Sequence, residues 1–274
     1  MIMNIGIVGL GLIGGSLAKA IRKNTEHTVL GYDISEQVQL KAKVVRAIDD
    51  VLTEERLTEC DIVIIALYPA TAVEFVEKHK ERFNKNSIVI DCCGVKKVVC
   101  EPLFKLADEY GFTFIGAHPM AGIEFSGFDH SKNSLFENAS MIMVPGHNVD
   151  IAKMHMLSNL FHEIGFSHIQ ISTPEEHDEV IACTSQMAHI VSSAYVKSPV
   201  AKKYKGYSAG SFKDMTRVAK MNPAMWTELF HANSDNLINE IDGFIERLTE
   251  YKTALQTDNR ESMENLLAEG NRIK

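Results

Sequence analysis

The sequence is short of positive charge. Lys and Arg number 28 against 36 Asp and Glu, for a formal net charge of -8 and a pI near 5.8, so no basic face is supplied for a nucleic-acid backbone or an anionic membrane. Small molecules are the expected ligands. No basic residue precedes the apolar N-terminal stretch, which is also dense in glycine, and neither trait suits a secretory signal. We therefore read Met1 to Ala20 as strand, turn and helix, and expect a cytoplasmic protein. The five cysteines, Cys60, Cys92, Cys93, Cys100 and Cys183, are odd in number, form no CxxC pair and have no zinc-like spacing to a histidine. Reduced thiols and no metal site follow. Repeats, low-complexity tracts and long Gly/Ser linkers are missing too. What is present, 45% apolar and 23% charged residues over 274 positions, can bury one large core or two moderate ones.

Ile2 to Val8 is a β-rich run leading into Gly9-Leu10-Gly11-Leu12-Ile13-Gly14, after which Leu17, Ala18 and Ile21 fall at helical spacing. GxGxxG is a weak pattern alone, but between strand and helix it describes a dinucleotide turn. Gly9 permits the bend, Gly11 lets backbone amides approach a pyrophosphate, and Gly14 lets helix and strand pack closely. The helix N-terminus offers its free N–H groups to the phosphates. A second strand, Thr28 to Tyr32, delivers Asp33 at 19 residues beyond Gly14, where a carboxylate can accept from both ribose hydroxyls. It would repel a 2′-phosphate and no Arg follows it, so NAD is expected rather than NADP. Further strands are expected at Ile62 to Leu67 and Ser87 to Asp91 with a helix between them at Thr71 to Phe83, which makes a doubly wound parallel sheet the natural architecture. Asp91-Cys92-Cys93-Gly94-Val95-Lys96 then closes a strand near the nicotinamide end of the cofactor, and Lys96 is read as a solvated helix residue.

The apolar, aromatic run Phe112, Phe114, Ile115 ends at His118-Pro119-Met120-Ala121-Gly122, which puts His118 at the carboxyl end of a strand, where open parallel sheets bind ligands. Oxidising an alcohol requires a proton acceptor, and a histidine at that edge suits the task as well as a purely structural one. Ser140 to Val144 and His168 to Ile171 read as strands around a helix at Ile151 to Ile164. From Thr173 on, helix dominates. Thr173-Pro174-Glu175-Glu176 is a helix start, and the helix it opens could carry Ser185 and His189 on one face, four residues apart. A Gly/Ser-containing loop precedes Phe212-Lys213-Asp214-Met215-Thr216-Arg217, in which Arg217 reads either as a fork for a carboxylate or as a surface arginine. Leu229, Leu237, Ile241, Ile245 and Leu248 give the C-terminal stretch a partly heptad-like pattern, from which a dimer interface follows.

In this order, GLGLIGGS at Gly9 to Ser16, HPMAG, TPEEHD at Thr173 to Asp178 and FKDMTRVA at Phe212 to Ala219 resemble the prephenate dehydrogenase family of tyrosine biosynthesis, over nearly the whole chain. The resemblance implies NAD-dependent oxidative decarboxylation of prephenate to 4-hydroxyphenylpyruvate, carbon dioxide and NADH. His118 matches the family histidine that hydrogen-bonds the ring hydroxyl and promotes hydride departure. Arg217 matches the arginine for the substrate carboxylate, Ser185 and His189 match family positions lining the substrate pocket, Glu124 and Asp214 match acids near its mouth, and Trp226 matches a nearby aromatic. Gly9, Gly11, Leu12, Ile13, Gly14, Asp33 and Gly94 are the expected cofactor contacts. Loss of hydride and carboxylate together restores aromaticity, so the protein need mainly align the ring and receive one proton.

The implied fold is α/β: an N-terminal Rossmann-type, mainly parallel sheet over residues 1–172, and an all-α dimerisation domain over 173–274, with the substrate between them. Three departures stand out. Gly94 occupies a position where the family usually has Ser, Gln186-Met187-Ala188 replaces a common His-Leu-Pro, and Ile123 stands where Thr is common. No chorismate mutase segment precedes Met1 and no room for an ACT domain follows, so allosteric control by tyrosine through such a domain is not expected. Arogenate dehydrogenase shares the motifs and differs only in the substrate side chain. A β-hydroxyacid dehydrogenase would leave HPMAG unexplained. A non-catalytic NAD-binding regulator is the reading that Gly94 favours and that His118 with Arg217 opposes.

Overall fold

A computed structural model describes residues 2–147, 149–204, 206–207 and 210–273. The loop expected ahead of Phe212 lies partly outside these. Eight strands form one sheet in the order β3-β2-β1-β4-β5-β6-β7-β8. They are β1 Asn4–Val8, β2 Thr28–Tyr32, β3 Asp50–Val51, β4 Ile62–Ile65, β5 Ile88–Asp91, β6 Thr113–Pro119, β7 Ser140–Pro145 and β8 His168–Ile171. Neighbours are parallel except β6 and β7, whose antiparallel register runs from Ile115 opposite Pro145 to Pro119 opposite Met141. The two prolines thus sit at the ends of that ladder, where a missing N–H costs least. β4 and β5 are buried along their whole length, as Ile62-Val63-Ile64-Ile65 and Ile88-Val89-Ile90 require of strands covered on both faces.

The covering helices are α1 Leu12–Asn24, α2 Glu36–Val44, α3 Pro69–His79, α4 Lys97–Tyr110 and α5 Ile151–Glu163. α3 begins two residues earlier than expected because Pro69 supplies a preorganised first turn. α4 stops at Gly111, whose φ of 82° gives the left-handed cap. The remaining helices are α6 Pro174–Ile181, α7 Met187–Val196, α8 Gly210–Thr216, α9 Pro223–Ala232, α10 Ser234–Gln256 and α11 Arg260–Ile273. Among the described residues no helix is long and apolar enough to cross a membrane.

The chain forms two compact units. The first comprises Met1–Asp178 and Lys220–Ala232, the second Glu179–Ala219 and Asn233–Lys274. The first unit therefore extends beyond residue 172 and takes α9 as well. Two sets of contacts hold these additions: Asp178 accepts from the backbone of Lys96 and Lys97, and Glu228 of α9 accepts from the N–H of Ala70 at the start of α3.

Candidate active site

The glycine-rich turn opens the carboxyl edge of the sheet. Gly9 has a φ of 89°, and a Cβ there would meet the Ala66 carbonyl at 2.5 Å, while one on Gly14 would stand 1.9 Å from the Gly9 carbonyl. Neither position admits another residue. At Gly11 a Cβ would meet nothing within 4 Å, so the turn leaves open space beside it. No side chain caps α1, and the N–H groups of its first turn, at Leu12 and Ile13, are left for a ligand. Asp33 accepts from the N–H of Leu10 at 2.9 Å through one oxygen and from that of Ser35 at 2.9 Å through the other. It thus braces the turn, and each oxygen keeps a second lone pair for a ribose hydroxyl. These residues fit a dinucleotide.

At the ends of β5 and β6 lies a buried polar network that no local sequence pattern announces. Lys96 is not a solvated helix residue: it precedes α4 and is fully buried. Its Nζ pairs with Asp91 and donates to the Ala117 carbonyl at 2.8 Å. Asp91 also accepts from the N–H of Ala117 at 3.0 Å and of Cys93 at 2.8 Å. Burial works against a charge on Lys96, but Asp91, together with the neighbouring Cys93 and Cys100, raises the pKa. The charge has been traded from water to a carboxylate and a carbonyl, both fixed on strands. Burial also pushes the thiols of Cys92, Cys93 and Cys100 well up, which leaves them poor nucleophiles.

His118 stands on β6 next to Ala117, so this network abuts it. Its Nδ1 lies 2.9 Å from Nε2 of His177, and Nδ1 of His177 lies 2.7 Å from the Asp178 carboxylate. Desolvation, then His177 and Lys96, push the His118 pKa well below the usual histidine value. It is therefore neutral near pH 7 and able to accept a proton. Its other ring nitrogen faces Gly94, where a Cβ would stand 3.8 Å from Nε2 and 3.4 Å from Leu229 of α9. His177 and Asp178 were visible only as part of a motif. Nothing in one sequence joins side chains 59 positions apart.

In the second unit, a π-helical segment at Ala182–Gln186 interrupts the helix expected through Ser185 and His189. A π turn takes up an extra residue, with Ser185 inside it and His189 just beyond it on α7. Gln186 is buried there and accepts from Asn233 at 2.9 Å. His189 hydrogen-bonds the Val218 carbonyl at 2.9 Å, which ties α7 to the 3-10 turn Arg217–Ala219. Arg217 and Asp214 are exposed. In the first unit, Glu124 is exposed on the loop after β6, and Trp226 of α9 is half-buried with its ring 5.3 Å from Phe230.

The profile of the prephenate dehydrogenase nucleotide-binding domain matches residues 17–170, and that of the family's dimerization domain matches residues 173–269. The chain belongs to the prephenate dehydrogenase family. Prephenate dehydrogenase of Bacillus subtilis is 31% identical over 94% of this chain and 71% of its own length. Among solved structures, prephenate dehydrogenase of A. aeolicus, in complex with hydroxyphenyl propionate and NAD+, is similar with a TM-score of 0.85 and 29% identity, over 100% of this chain and 96% of the other. Arogenate dehydrogenase of Synechocystis is similar with a TM-score of 0.84 and 27% identity, over 98% of each chain. As a member of this family the protein is an oxidoreductase with a Rossmann-type nucleotide-binding domain followed by a helical domain of the dimerisation type.

Proposed function

We propose that this protein is a prephenate dehydrogenase, which uses NAD to convert prephenate to 4-hydroxyphenylpyruvate and carbon dioxide. The observation that carries the reading is the placement of His118 at the carboxyl edge of the sheet, with Nε2 beside Gly94 and Nδ1 engaged by His177, where burial pushes its pKa down. NAD, when bound, would supply the hydride acceptor. Gly9, Gly11, Leu12, Ile13 and Gly14 cradle its pyrophosphate and Asp33 its adenine ribose. His118 takes the ring hydroxyl's proton as the carbonyl forms. Arg217 holds a substrate carboxylate, and Ser185, His189, Glu124, Asp214 and Trp226 complete the substrate-binding set. The protein works in the cytoplasm as a homodimer assembled through its C-terminal helices.

The test is NADH formation by the purified protein, offered prephenate and arogenate separately, each with NAD and with NADP. Turnover of prephenate with NAD supports the reading. Turnover of arogenate alone moves the specificity, and silence with every pair despite NAD binding overturns it. His118→Ala should lower kcat by roughly a hundredfold or more while NAD still binds.

A further inference from the structure

The histidine pair has a polarity that can be read outward from Asp178. This carboxylate accepts from the backbone N–H of Lys96 at 2.7 Å and of Lys97 at 2.9 Å, and it offers His177 only lone pairs. The His177 nitrogen facing it, Nδ1, therefore carries the proton. A neutral His177 then has a bare Nε2, and the 2.9 Å contact makes Nδ1 of His118 the donor. The lone pair of His118 is left on Nε2, on the side of Gly94.

We propose that His118, His177 and Asp178 form a closed proton store. Nε2 of His118 takes the substrate's hydroxyl proton, the Nδ1 proton of His118 passes to Nε2 of His177, and both shifts reverse before product leaves. The proposal rests on the reaction assigned above, whose balance returns the hydroxyl proton to the same oxygen and so is served by such a store. Hydride leaves the hydroxyl-bearing carbon for the nicotinamide, the O–H bond breaks, and its electrons close the carbonyl. When the bond to the leaving carboxylate breaks, its electron pair flows through the ring to that oxygen, which takes the proton back. The products are hydride on the cofactor, carbon dioxide and a phenol, with no net proton. A base that passed its proton to bulk water would have to recover one in every cycle. His177 and Asp178 are each only 2% exposed, which suits retention.

The stored charge settles on His177 because of what each ring faces. Next to His118 the fixed charge is the cation of Lys96, held by Asp91 and bonded to the carbonyl of Ala117. Next to His177 it is the carboxylate of Asp178. Burial and the Lys96 cation lower the pKa of both rings, but the hydrogen bond and charge of Asp178 oppose them at His177 alone. Two coupled imidazoles thus titrate as a pair, with the proton on the inner one.

Nitrogen NMR of the substrate-free protein, labelled at histidine, tests the arrangement without reference to any reaction. Both rings should carry the proton on Nδ1 near neutral pH, and on acidification His177 should become the imidazolium first. A proton on Nε2 of His118, or an imidazolium forming first there, overturns the proposal even if prephenate is turned over. His177→Gln can place an amide oxygen where Nε2 of His177 stands, which keeps an acceptor for His118, but it cannot hold a proton. Its His118 tautomer should persist while kcat falls at least about tenfold at unchanged KM. His177→Phe should lose the tautomer bias as well and fall further. Full turnover by His177→Gln sinks the store. A wild-type protein inactive on both substrates but with the expected spectra would instead point to the reaction assignment.

Discussion

The two compact units bury their residues very differently. In the first, whole strands are covered, and even a lysine is driven to full burial because Asp91 and a carbonyl await it. In the second, α10 buries only Leu237 and Ala254, and α8 and α11 have no buried residue among those described. Ile238, Ile245, Leu248, Leu255 and Leu267 stay exposed in the same unit. A unit that completes its own core can devote buried polar groups to chemistry. A helical unit with apolar residues left over is suited to association, as the family's dimerization domain is named for.

The sharpest way to break the comparison is at the buried charge of the first unit. Lys96→Met leaves Asp91 buried without its cation, and should cost about 3–5 kcal/mol of stability, read from the urea midpoint. A loss under about 1 kcal/mol would show the pair to be dispensable. Next comes the apolar surface of the second unit. Ile245→Asp with Leu248→Asp removes two aliphatic side chains from each copy of a symmetric interface, each worth about 1.5–3 kcal/mol. The proposed dimer should weaken by roughly a hundredfold or more in sedimentation equilibrium, with the sheet unit's NAD binding retained. Unaltered association would place the interface elsewhere. Arg217→Ala, in the same unit, should raise the KM for substrate by roughly ten- to a hundredfold with a smaller change in kcat. An unchanged KM would remove Arg217 from the binding set.

Local signals made the first unit legible. Gly9, Gly11 and Gly14 announce a turn because no other residue fits two of those positions, and Asp33 follows a strand whose bounds agree with the expected Thr28 to Tyr32. β3 was missed because two residues carry no period. Lys96 was misread because its partners lie on two strands, and a lysine at the start of a helix looks solvated until Asp91 and Ala117 are brought to it. His177 was missed for the same reason: its role depends on His118, which only folding brings near. The π segment at Ala182–Gln186 left no trace in a pattern read at helical spacing. Local chemistry shows in sequence, while polar networks closed across the sheet do not.

The smallest expected effect concerns Gly94, the departure that favoured a regulator. A Cβ there would touch Leu229 at 3.4 and 3.5 Å, ordinary contacts, and the backbone has no positive φ to strain. Gly94→Ser should therefore fold with a stability change under about 1 kcal/mol. Its hydroxyl would come near Nε2 of His118. Where that ring is already oriented through Nδ1 by His177, a second hydrogen bond adds little, and kcat should change by no more than about threefold, within the net worth of one such bond. A gain of a hundredfold would mean that the ring is loosely held without a hydroxyl, and that the buried pair behind it does not do the orienting.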